Sequence, residues 1–317
     1  MSEKPKIIVS GSIAKDRIRV FPGSFSDVFK PESFHKISVS FLTEEGKETY
    51  GGVAANICYT LALLGENPVL LGSMGKEAID YIERLAALGI ETQYINLSDL
   101  PTADFTVITD KDNNQIGAFY PGAMNDHSSL VLDHWKGQNA LAIISPYTPE
   151  VMDRQVQQAI NFGLSYVYDP GQQIINIPPE ELARGISNAE IVIVNDYELG
   201  FMSDRLGQSS EALTELIPIL VTTYGKEGST ISGKSVPTEI QVPAVQHLSV
   251  VDPTGAGDAY RAGFLYGYIR KHPLEVCGRL GSLTAAYAIE REGAQEHSFS
   301  SEEFKQRYIS TYGENLE

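Results

Sequence analysis

The strongest constraint on the fold is a repeated alternation between short apolar runs and amphipathic helical stretches. Runs typical of buried strands cover residues 6–13, 68–72, 141–145, 166–169, 191–195 and 219–223. Helical stretches cover residues 53–64, 77–88, 149–162, 180–187 and 211–216, and the pattern is mostly helical from Thr254 onward. Strands that alternate with helices predict a mostly parallel sheet with helices on both faces, which is a three-layer α/β/α core.

Two stretches, residues 17–50 and 93–120, interrupt this rhythm because they lack helical periodicity. The second contains two β-rich runs joined by the polar residues 110–114, and this pattern predicts a hairpin. We therefore expect a single unit over residues 1–317, in which about residues 17–50 and 93–123 form a small β-strand lid inserted in the core. Because an open strand edge can pair with another chain, a homodimer through the lid is plausible.

The charge of the chain excludes some classes of partner. It has 24 basic and 41 acidic residues, for a net charge of -17, whereas a protein that follows nucleic-acid phosphates needs a basic surface. No apolar run is long enough to span a membrane or to form the core of a signal peptide. Cys58 and Cys277 lie in apolar helical stretches typical of buried, reduced thiols. We expect a cytoplasmic protein without a nucleic-acid or membrane partner.

The most informative segment is a glycine-rich turn, VDPTGAGD at residues 251–258, which precedes a helical stretch. Unpaired amides and the helix dipole favour an anion at a helix N-terminus, so the turn can hold a phosphate group. Gly255 and Gly257 allow the backbone angles that such a turn needs. Asp258 could accept the proton of an attacking hydroxyl or could simply cap the helix, and spacing alone leaves both interpretations open.

This turn resembles the C-terminal motif of the PfkB (ribokinase-like) carbohydrate kinases, Asp-Thr-x-Gly-Ala-Gly-Asp, although Pro253 stands where many members have threonine. The resemblance implies a ribokinase-like fold and an ATP-dependent transfer of phosphate to an alcohol. It also implies that Asp258 is the catalytic base, with an anion hole formed by the amides of Gly255, Ala256 and Gly257.

Two N-terminal segments resemble substrate-binding elements of the same family. In GSIAKD at residues 11–16, the resemblance implies that Asp16 accepts hydrogen bonds from substrate hydroxyls, and one carboxylate can accept from two vicinal hydroxyls. Without the resemblance, Asp16 would be interpreted as a solvated acid. In GGVAAN at residues 51–56, Gly52 would let the backbone approach a sugar, and Asn56 would donate to another hydroxyl.

Two later segments resemble nucleotide-binding elements of the family. The segment NDYE at residues 195–198 implies that Asn195 binds the cofactor and that Glu198 holds magnesium indirectly, through water. The segment VTTYGKEG at residues 221–228 resembles the turn that lines the nucleotide site. It implies nucleotide contacts from Thr222, Thr223, Gly225 and Gly228. The implied cofactors are therefore ATP and Mg²⁺.

Within the family, residues 21–25, 35–41, 119–124, 169–173 and 252–254 resemble the bacterial adenosine kinases of the mycobacterial type. In that group, aromatic rings of the lid enclose the purine, and Phe105 and Phe119 match those positions. The pattern alone favours a core position for a strand phenylalanine, so the stacking role rests on the resemblance.

Polar residues could complete a nucleoside site. Gln172 and Gln173 follow the end of a predicted strand, where ligands bind in open α/β sheets, and their amides both donate and accept. They could also be ordinary surface glutamines. Ser12 and Ser40 would add hydroxyl contacts.

Together these segments predict transfer of the γ-phosphoryl group of ATP to the 5′-hydroxyl of adenosine. A broader purine nucleoside kinase and a sugar kinase for ribose or fructose are alternatives within the family. A nucleoside-binding protein without catalytic activity is an alternative from another class. None of the candidate positions provides the basic cluster that an already phosphorylated sugar would need.

Residues 228–235, GSTISGKS, match the P-loop expression letter for letter. A P-loop requires a helix that begins at its lysine, so that the helix N-terminus meets the phosphates. Here Pro237 and Pro243 follow, with β-type residues between them. We therefore expect a hairpin that turns at Gly233 and Lys234, and an accidental match.

Overall fold

A computed structural model describes residues 4–29, 38–112 and 114–316. The strands are β1 Lys6–Ser10, β2 Ala14–Val20, β3 Glu45–Gly51, β4 Val69–Leu71, β5 Ser73–Gly75, β6 Asn96–Ser98, β7 Ala103–Thr109, β8 Gln115–Tyr120, β9 Ala140–Ile144, β10 Ser165–Tyr168, β11 Ile191–Asn195, β12 Ile219–Thr223, β13 Ser229–Ser232 and β14 Ile240–Val242. The helices are α1 Phe25–Val28, α2 Val53–Leu63, α3 Ile79–Ala87, α4 Pro149–Phe162, α5 Pro179–Asn188, α6 Asp196–Leu206, α7 Ser210–Leu216, α8 Ala256–Ile269, α9 Leu274–Ile289 and α10 Ser301–Tyr312.

The main sheet has eight strands in the order β14-β13-β12-β11-β10-β9-β1-β4. Neighbouring strands from β12 to β4 pair in parallel, and β13 pairs antiparallel with both β12 and β14. This arrangement confirms the predicted mostly parallel sheet. Its central strands are nearly continuous apolar runs because both of their faces are covered.

Successive residues of each strand face opposite sides of the main sheet, and each side has its own helices. Ile7 and Val9 of β1 pack with residues of α2, α3, α8 and α9. Ile8, between them, packs on the other side with residues of α4, α5, α6 and α7. These two apolar clusters confirm the predicted three-layer α/β/α core, and the parallel strands end at the edge where the candidate site lies.

A second, four-stranded sheet has the order β3-β2-β7-β8, and we call it the lid sheet. Its strands come from the two stretches that lack helical periodicity, although β2 begins at Ala14, before the predicted residue 17. Within the second stretch, β6 pairs with β5 in a separate two-stranded sheet. The first stretch includes residues 30–37, which lie outside the described residues.

The predicted strands and helices named above lie within two residues of those observed, with one exception. The first strand ends at Ser10 instead of residue 13, since the chain turns at Gly11. The chain is closely packed there, because a β-carbon added at Gly11 would lie 2.1 Å from Oγ of Ser145. Helix α6 was not predicted. Its N-terminus carries a capping box, which is a recognisable helix-start signal in the sequence.

The sequence predicts neither a P-loop nor a membrane-spanning segment. Strands β13 and β14 pair antiparallel, and α8 at Ala256 is the next helix, so the P-loop match leads into a hairpin instead of a helix, as predicted. The connection between the two strands covers residues 233–239, so it is longer than the predicted turn at Gly233 and Lys234. Over residues 4–29, 38–112 and 114–316, the helices lack the length and apolar character needed to cross a membrane.

Candidate active site

The glycine-rich turn lies directly before α8, and its geometry depends on Gly255. This residue caps the N-terminus of α8 with a φ of +78°, and an added β-carbon would lie 2.7 Å from Cβ of Ala294. The first amides of a helix have no partner within the helix. Of these, the Ala256 amide donates to the carbonyl of Pro253 at 3.2 Å. The Gly257 amide is therefore better placed than the Ala256 amide to bind an anion.

The Asp258 side chain contacts another helix instead of capping its own. Nδ2 of Asn56, on α2, donates to Oδ2 of Asp258 at 2.8 Å. Within the described structure, no side-chain hydrogen bond caps the N-terminus of α8. Burial raises the pKa of Asp258 to about 6, while the charge of Arg261 and the hydrogen bond from Asn56 oppose this shift. A carboxylate with such a pKa is ionised near neutral pH and still basic enough to accept a proton.

Asp16 on β2 lies close enough to Asp258 for their charges to interact. Burial raises the pKa of Asp16 to about 6, and the charge of Asp258 adds to this shift. Two glycines allow the end of β3 to pass beside this carboxylate. A β-carbon added at Gly51 would lie 2.4 Å from Oδ2 of Asp16. One added at Gly52, where φ is +93°, would lie 2.6 Å from backbone atoms of the neighbouring chain segment.

Asp16, Phe105 and Phe119 form one row across the lid sheet. Asp16 is the register partner of Phe105 between β2 and β7, and Phe105 is directly opposite Phe119 between β7 and β8. Paired residues point to the same face of a sheet. The two phenylalanines are 38% and 50% exposed, so neither belongs to a core. Gly117 leaves room for the Phe105 ring, since an added β-carbon would lie 2.7 Å from it.

The predicted polar residues of the substrate site have different surroundings. Ser12 is buried, and its Oγ accepts a hydrogen bond from the Val53 amide at the start of α2. Gln172 and Gln173 lie in a turn just after β10, where Gln173 accepts a hydrogen bond from Asn176 at 3.1 Å. Ser40 is exposed and lies outside the regular elements. The row on the lid sheet therefore gives clearer evidence for a binding surface than these polar residues do.

A cavity of about 460 Å³ lies on the other side of the glycine-rich turn. It connects predicted nucleotide-binding residues with the predicted anion hole, since its lining includes Thr223, Gly225, Gly228, Ala256 and Gly257. Its remaining wall is largely apolar and includes Val250, Ala285 and Ile289. Such a combination of apolar wall and exposed backbone amides suits the base and phosphates of a nucleotide.

Thr222 differs from its neighbour Thr223 because alternate residues of a strand point to opposite faces. It is buried and does not line this cavity. Gly228 has a φ of +96°, and an added β-carbon would lie 2.1 Å from the carbonyl oxygen of Val242. The turn after β12 therefore requires glycine at this position.

Asn195 and Glu198 form the capping box of α6. The Asn195 side chain accepts from the Glu198 amide at 2.7 Å, and Oε2 of Glu198 accepts from the Asn195 amide at 2.8 Å. Capping of α6 is therefore one reason for an Asn and a Glu at this spacing. The capping box also orients the second carboxylate oxygen of Glu198. In the part of the chain that the structure describes, no group of three or more His, Cys, Asp or Glu side chains could hold a metal directly. The indirect, water-mediated role of Glu198 stays a prediction.

Two charged residues that the sequence did not assign to the site lie within it. Nη2 of Arg261 donates to Oδ1 of Asp169 at 2.6 Å, and both side chains are buried. Arg261 also lies 3.9 Å from Glu198. Burial opposes its charge, but the carboxylates of Asp169, Glu198 and Asp258 raise the pKa of Arg261 above its usual value. The position of Arg261, one helical turn after Asp258, was the available signal, but its partner is distant in sequence.

Comparisons with known proteins find similar chains over most of the length of this one. Residues 24–301 match the pattern of the pfkB family of carbohydrate kinases. The chain is 31% identical to a nucleoside kinase of Methanothermobacter thermautotrophicus over 305 residues, which cover 94% of this chain and 97% of the relative. The Burkholderia thailandensis nucleoside kinase in complex with inosine has a TM-score of 0.87 and 33% identity, covering 98% of this chain and 100% of that one. The same kinase with ADP and inosine has a TM-score of 0.84 and 34% identity, covering 98% and 97%.

Proposed function

Because the chain belongs to the pfkB family of carbohydrate kinases, we propose that it transfers the γ-phosphoryl group of ATP to the 5′-hydroxyl of a purine nucleoside. The observation that carries this proposal is the row of Asp16, Phe105 and Phe119 beside Asp258. A carboxylate that can accept from ribose hydroxyls and two exposed rings that can stack on a base together suit a nucleoside.

In this mechanism Asp258 accepts the proton of the attacking hydroxyl. Its contact with Asn56 fixes the carboxylate, and its pKa of about 6 keeps it ionised at neutral pH. The amides at the start of α8, with Gly255 and Gly257 as the residues that permit their approach, bind the transferred group. Phosphoryl transfer needs little covalent chemistry from the protein, so positioning and charge stabilisation supply most of the acceleration.

ATP occupies the cavity beside the glycine-rich turn in this proposal. Thr223, Gly225 and Gly228 line it, and its connection to Gly257 directs the triphosphate toward Asp258. The Glu198 carboxylate, oriented by its capping box with Asn195, would hold Mg²⁺ through water. When bound, the ion would neutralise charge on the phosphates. Thr222 would act by packing under the site, since it is buried.

The choice of nucleoside rests on the relatives. The inosine complexes of a kinase that is about one third identical support the broader purine nucleoside kinase over a kinase specific for adenosine. Adenosine and inosine share the ribose and the stacking surface of the purine, and they differ at the base edge. Phosphorylated sugars are less suitable acceptors, because Arg261 is already paired with Asp169.

A panel assay tests this proposal. ADP release from ATP would be measured with adenosine, inosine, guanosine, cytidine, ribose and fructose, and the phosphorylated product would be identified by mass. We expect the highest kcat/KM with purine nucleosides and product phosphorylated at the 5′ position. Turnover of free ribose or fructose at a higher kcat/KM would instead support the sugar kinase alternative. Nucleoside binding without ADP release would support a binding protein.

A homodimer through the edge strands of the lid sheet and a cytoplasmic location stay predictions from the sequence. Strands β3 and β8 are the outer strands of the lid sheet in the described chain, and the exposed side chains of β8 include Ile116 and Tyr120. Such an edge can pair with a second copy.

A further inference from the structure

A chain of side-chain hydrogen bonds connects Arg84 on α3 to Asp258. Nη1 of Arg84 donates to Oε1 of Gln295 at 2.7 Å. Nε2 of Gln295 donates to Oδ1 of Asn56 at 2.9 Å, and Nδ2 of Asn56 donates to Oδ2 of Asp258 at 2.8 Å. Gln295 and Asn56 are only 1% and 6% exposed. The contacts therefore join segments that are far apart in sequence through a buried path.

The chemistry of Arg84 fixes the direction of every bond in this chain. A guanidinium group only donates, whereas an amide side chain has one accepting and one donating end. The oxygen of Gln295 must therefore face Arg84, and its nitrogen must face Asn56. The oxygen of Asn56 must then face Gln295, which leaves the nitrogen of Asn56 facing Asp258. The orientation of an amide is ordinarily assigned from its network, and here a donor-only group determines it.

Gln295 has no freedom to reverse its amide. The Nε2 group also donates to the hydroxyl of Tyr81 at 2.5 Å, and that hydroxyl donates to the Gly51 carbonyl at 2.9 Å. Nη2 of Arg84 donates to the main-chain carbonyl of Gln295 at 2.9 Å. Reversing the Gln295 amide would place its nitrogen against Arg84 and leave Asn56 without a donor. Unpaired buried polar groups are costly, so this orientation is strongly favoured.

We propose that Gln295 is a positioning residue that acts through Asn56, holding the Asn56 amide as a hydrogen-bond donor to Asp258. This role rests on the proposed function, in which Asp258 is the base. A hydrogen bond donated to a carboxylate favours its ionised form. If Asn56 were reversed, its oxygen would face the carboxylate and would favour the protonated form, which cannot accept a proton.

The charges around Asp258 explain why one neutral donor matters. Burial disfavours ionisation of Asp258, and the charge of Glu198 on α6 adds to this effect. Asp258 in turn raises the pKa of Asp16 on β2 and of Asp169 after β10, so these two carboxylates also lie near it. Arg261 on α8 favours ionisation, but it is already paired with Asp169. After the charge of Arg261, the hydrogen bond from Asn56 is the next largest influence that keeps the base ionised in this acidic site.

The pH dependence of kcat/KM for phosphoryl transfer to inosine tests this role. Gln295→Met removes both ends of the amide and keeps a similar length and volume. The acid limb of the profile is the range in which kcat/KM rises as the base ionises. We expect it to move to higher pH by roughly half a unit or more, so that the variant loses more activity relative to wild type at pH 6 than at pH 8.5. Gln155→Met is the matched control, since Gln155 on α4 is also 1% exposed but donates to the Leu130 carbonyl, away from the site.

Substitutions of Arg84 decide the question even if Gln295→Met folds poorly. Arg84→Met removes the donor that fixes the direction of the network and should shift the acid limb in the same sense. Arg84→Lys keeps a donor-only cation and should restore most of the wild-type profile. A purely structural role would lower the melting temperature without moving the limb.

Two negative results have different meanings. If wild-type protein transfers phosphate and both Gln295→Met and Arg84→Met keep the wild-type acid limb, the positioning role is refuted and the proposed function stands. If the wild-type protein does not phosphorylate any acceptor in the panel, the proposed function is refuted, and this role is refuted with it.

Discussion

At the scale of single residues, the site concentrates negative charge where folding alone would avoid it. Burial raises the pKa of both Asp16 and Asp258 to about 6, and each acid is the neighbour of the other. Perturbed carboxylates of this kind cluster at functional sites because their chemistry, not stability, requires them there. The chain retains this unfavourable arrangement, which suits binding of hydroxyl donors and acceptance of a proton.

Asp16→Asn should stabilise the protein at neutral pH while impairing catalysis. The folded pKa of Asp16, about 6, is above its ordinary value of 3.8, so the folded state binds the proton more tightly than the unfolded state. Stability is therefore lost as pH rises from about 4 to about 6. Asp16→Asn should have a higher free energy of unfolding than wild type. We expect this difference to be larger at pH 8 than at pH 5 by roughly 1 kcal/mol.

Urea unfolding at the two pH values measures this effect, with the exposed residue Asp112 as the control position, Asp112→Asn. If the free energies of unfolding of wild type and Asp16→Asn differ by the same amount at both pH values, Asp16 does not titrate in this range. The kcat/KM for nucleoside should fall in Asp16→Asn, since an amide accepts fewer hydroxyl hydrogen bonds than a carboxylate.

Sequence reasoning identified residues that belong to local motifs and missed those that act through distant contacts. Asp16, Asn56 and Asp258 stand in recognisable segments, and the structure brings them together. The partner of Arg261 is 92 residues away, and Gln295 is 239 residues from Asn56. No local pattern specifies such pairs, because they exist only once the sheet order has brought the segments into contact.

At the scale of elements, the proposed preference for a nucleoside over a free sugar depends on the β7–β8 hairpin. Alternating β-type residues and a polar turn predicted it, and its strands are Ala103–Thr109 and Gln115–Tyr120. The register could not be predicted from these patterns alone. It matters because it puts Phe105 opposite Phe119 and beside Asp16.

Phe105→Ala should raise KM for inosine and adenosine by about tenfold or more, because stacking of a base on an aromatic ring contributes about 1–3 kcal/mol. The rate with free ribose, however low, should change little. Ile116→Ala is the matched control, since Ile116 lies on the opposite face of the lid sheet and is 39% exposed, close to the 38% of Phe105. Steady-state kinetics with each acceptor measure both effects, and an equal loss with ribose would argue against base stacking.

At the scale of the whole molecule, the fold brings the two proposed binding sites together at the glycine-rich turn. The cavity suited to a nucleotide lies on one side of α8, and the lid sheet row lies on the side of Asp258. The alternation of strands and helices predicted the three layers, but it did not predict the strand order, since many orders satisfy the same alternation. With a net charge of -17, long-range attraction would not favour a triphosphate, so the proposed binding of ATP would depend on local amides and on a counterion.

The role of Asp258 as the base is tested most directly by the single-turnover rate of phosphoryl transfer by Asp258→Asn with ATP and inosine, measured together with nucleoside affinity. We expect a loss of about 10²–10⁴-fold in rate, with nucleoside Kd within a few-fold of wild type, because the substitution keeps the size of the side chain and removes its basicity. Retention of more than about a tenth of the wild-type rate would contradict the assignment of Asp258 as the base.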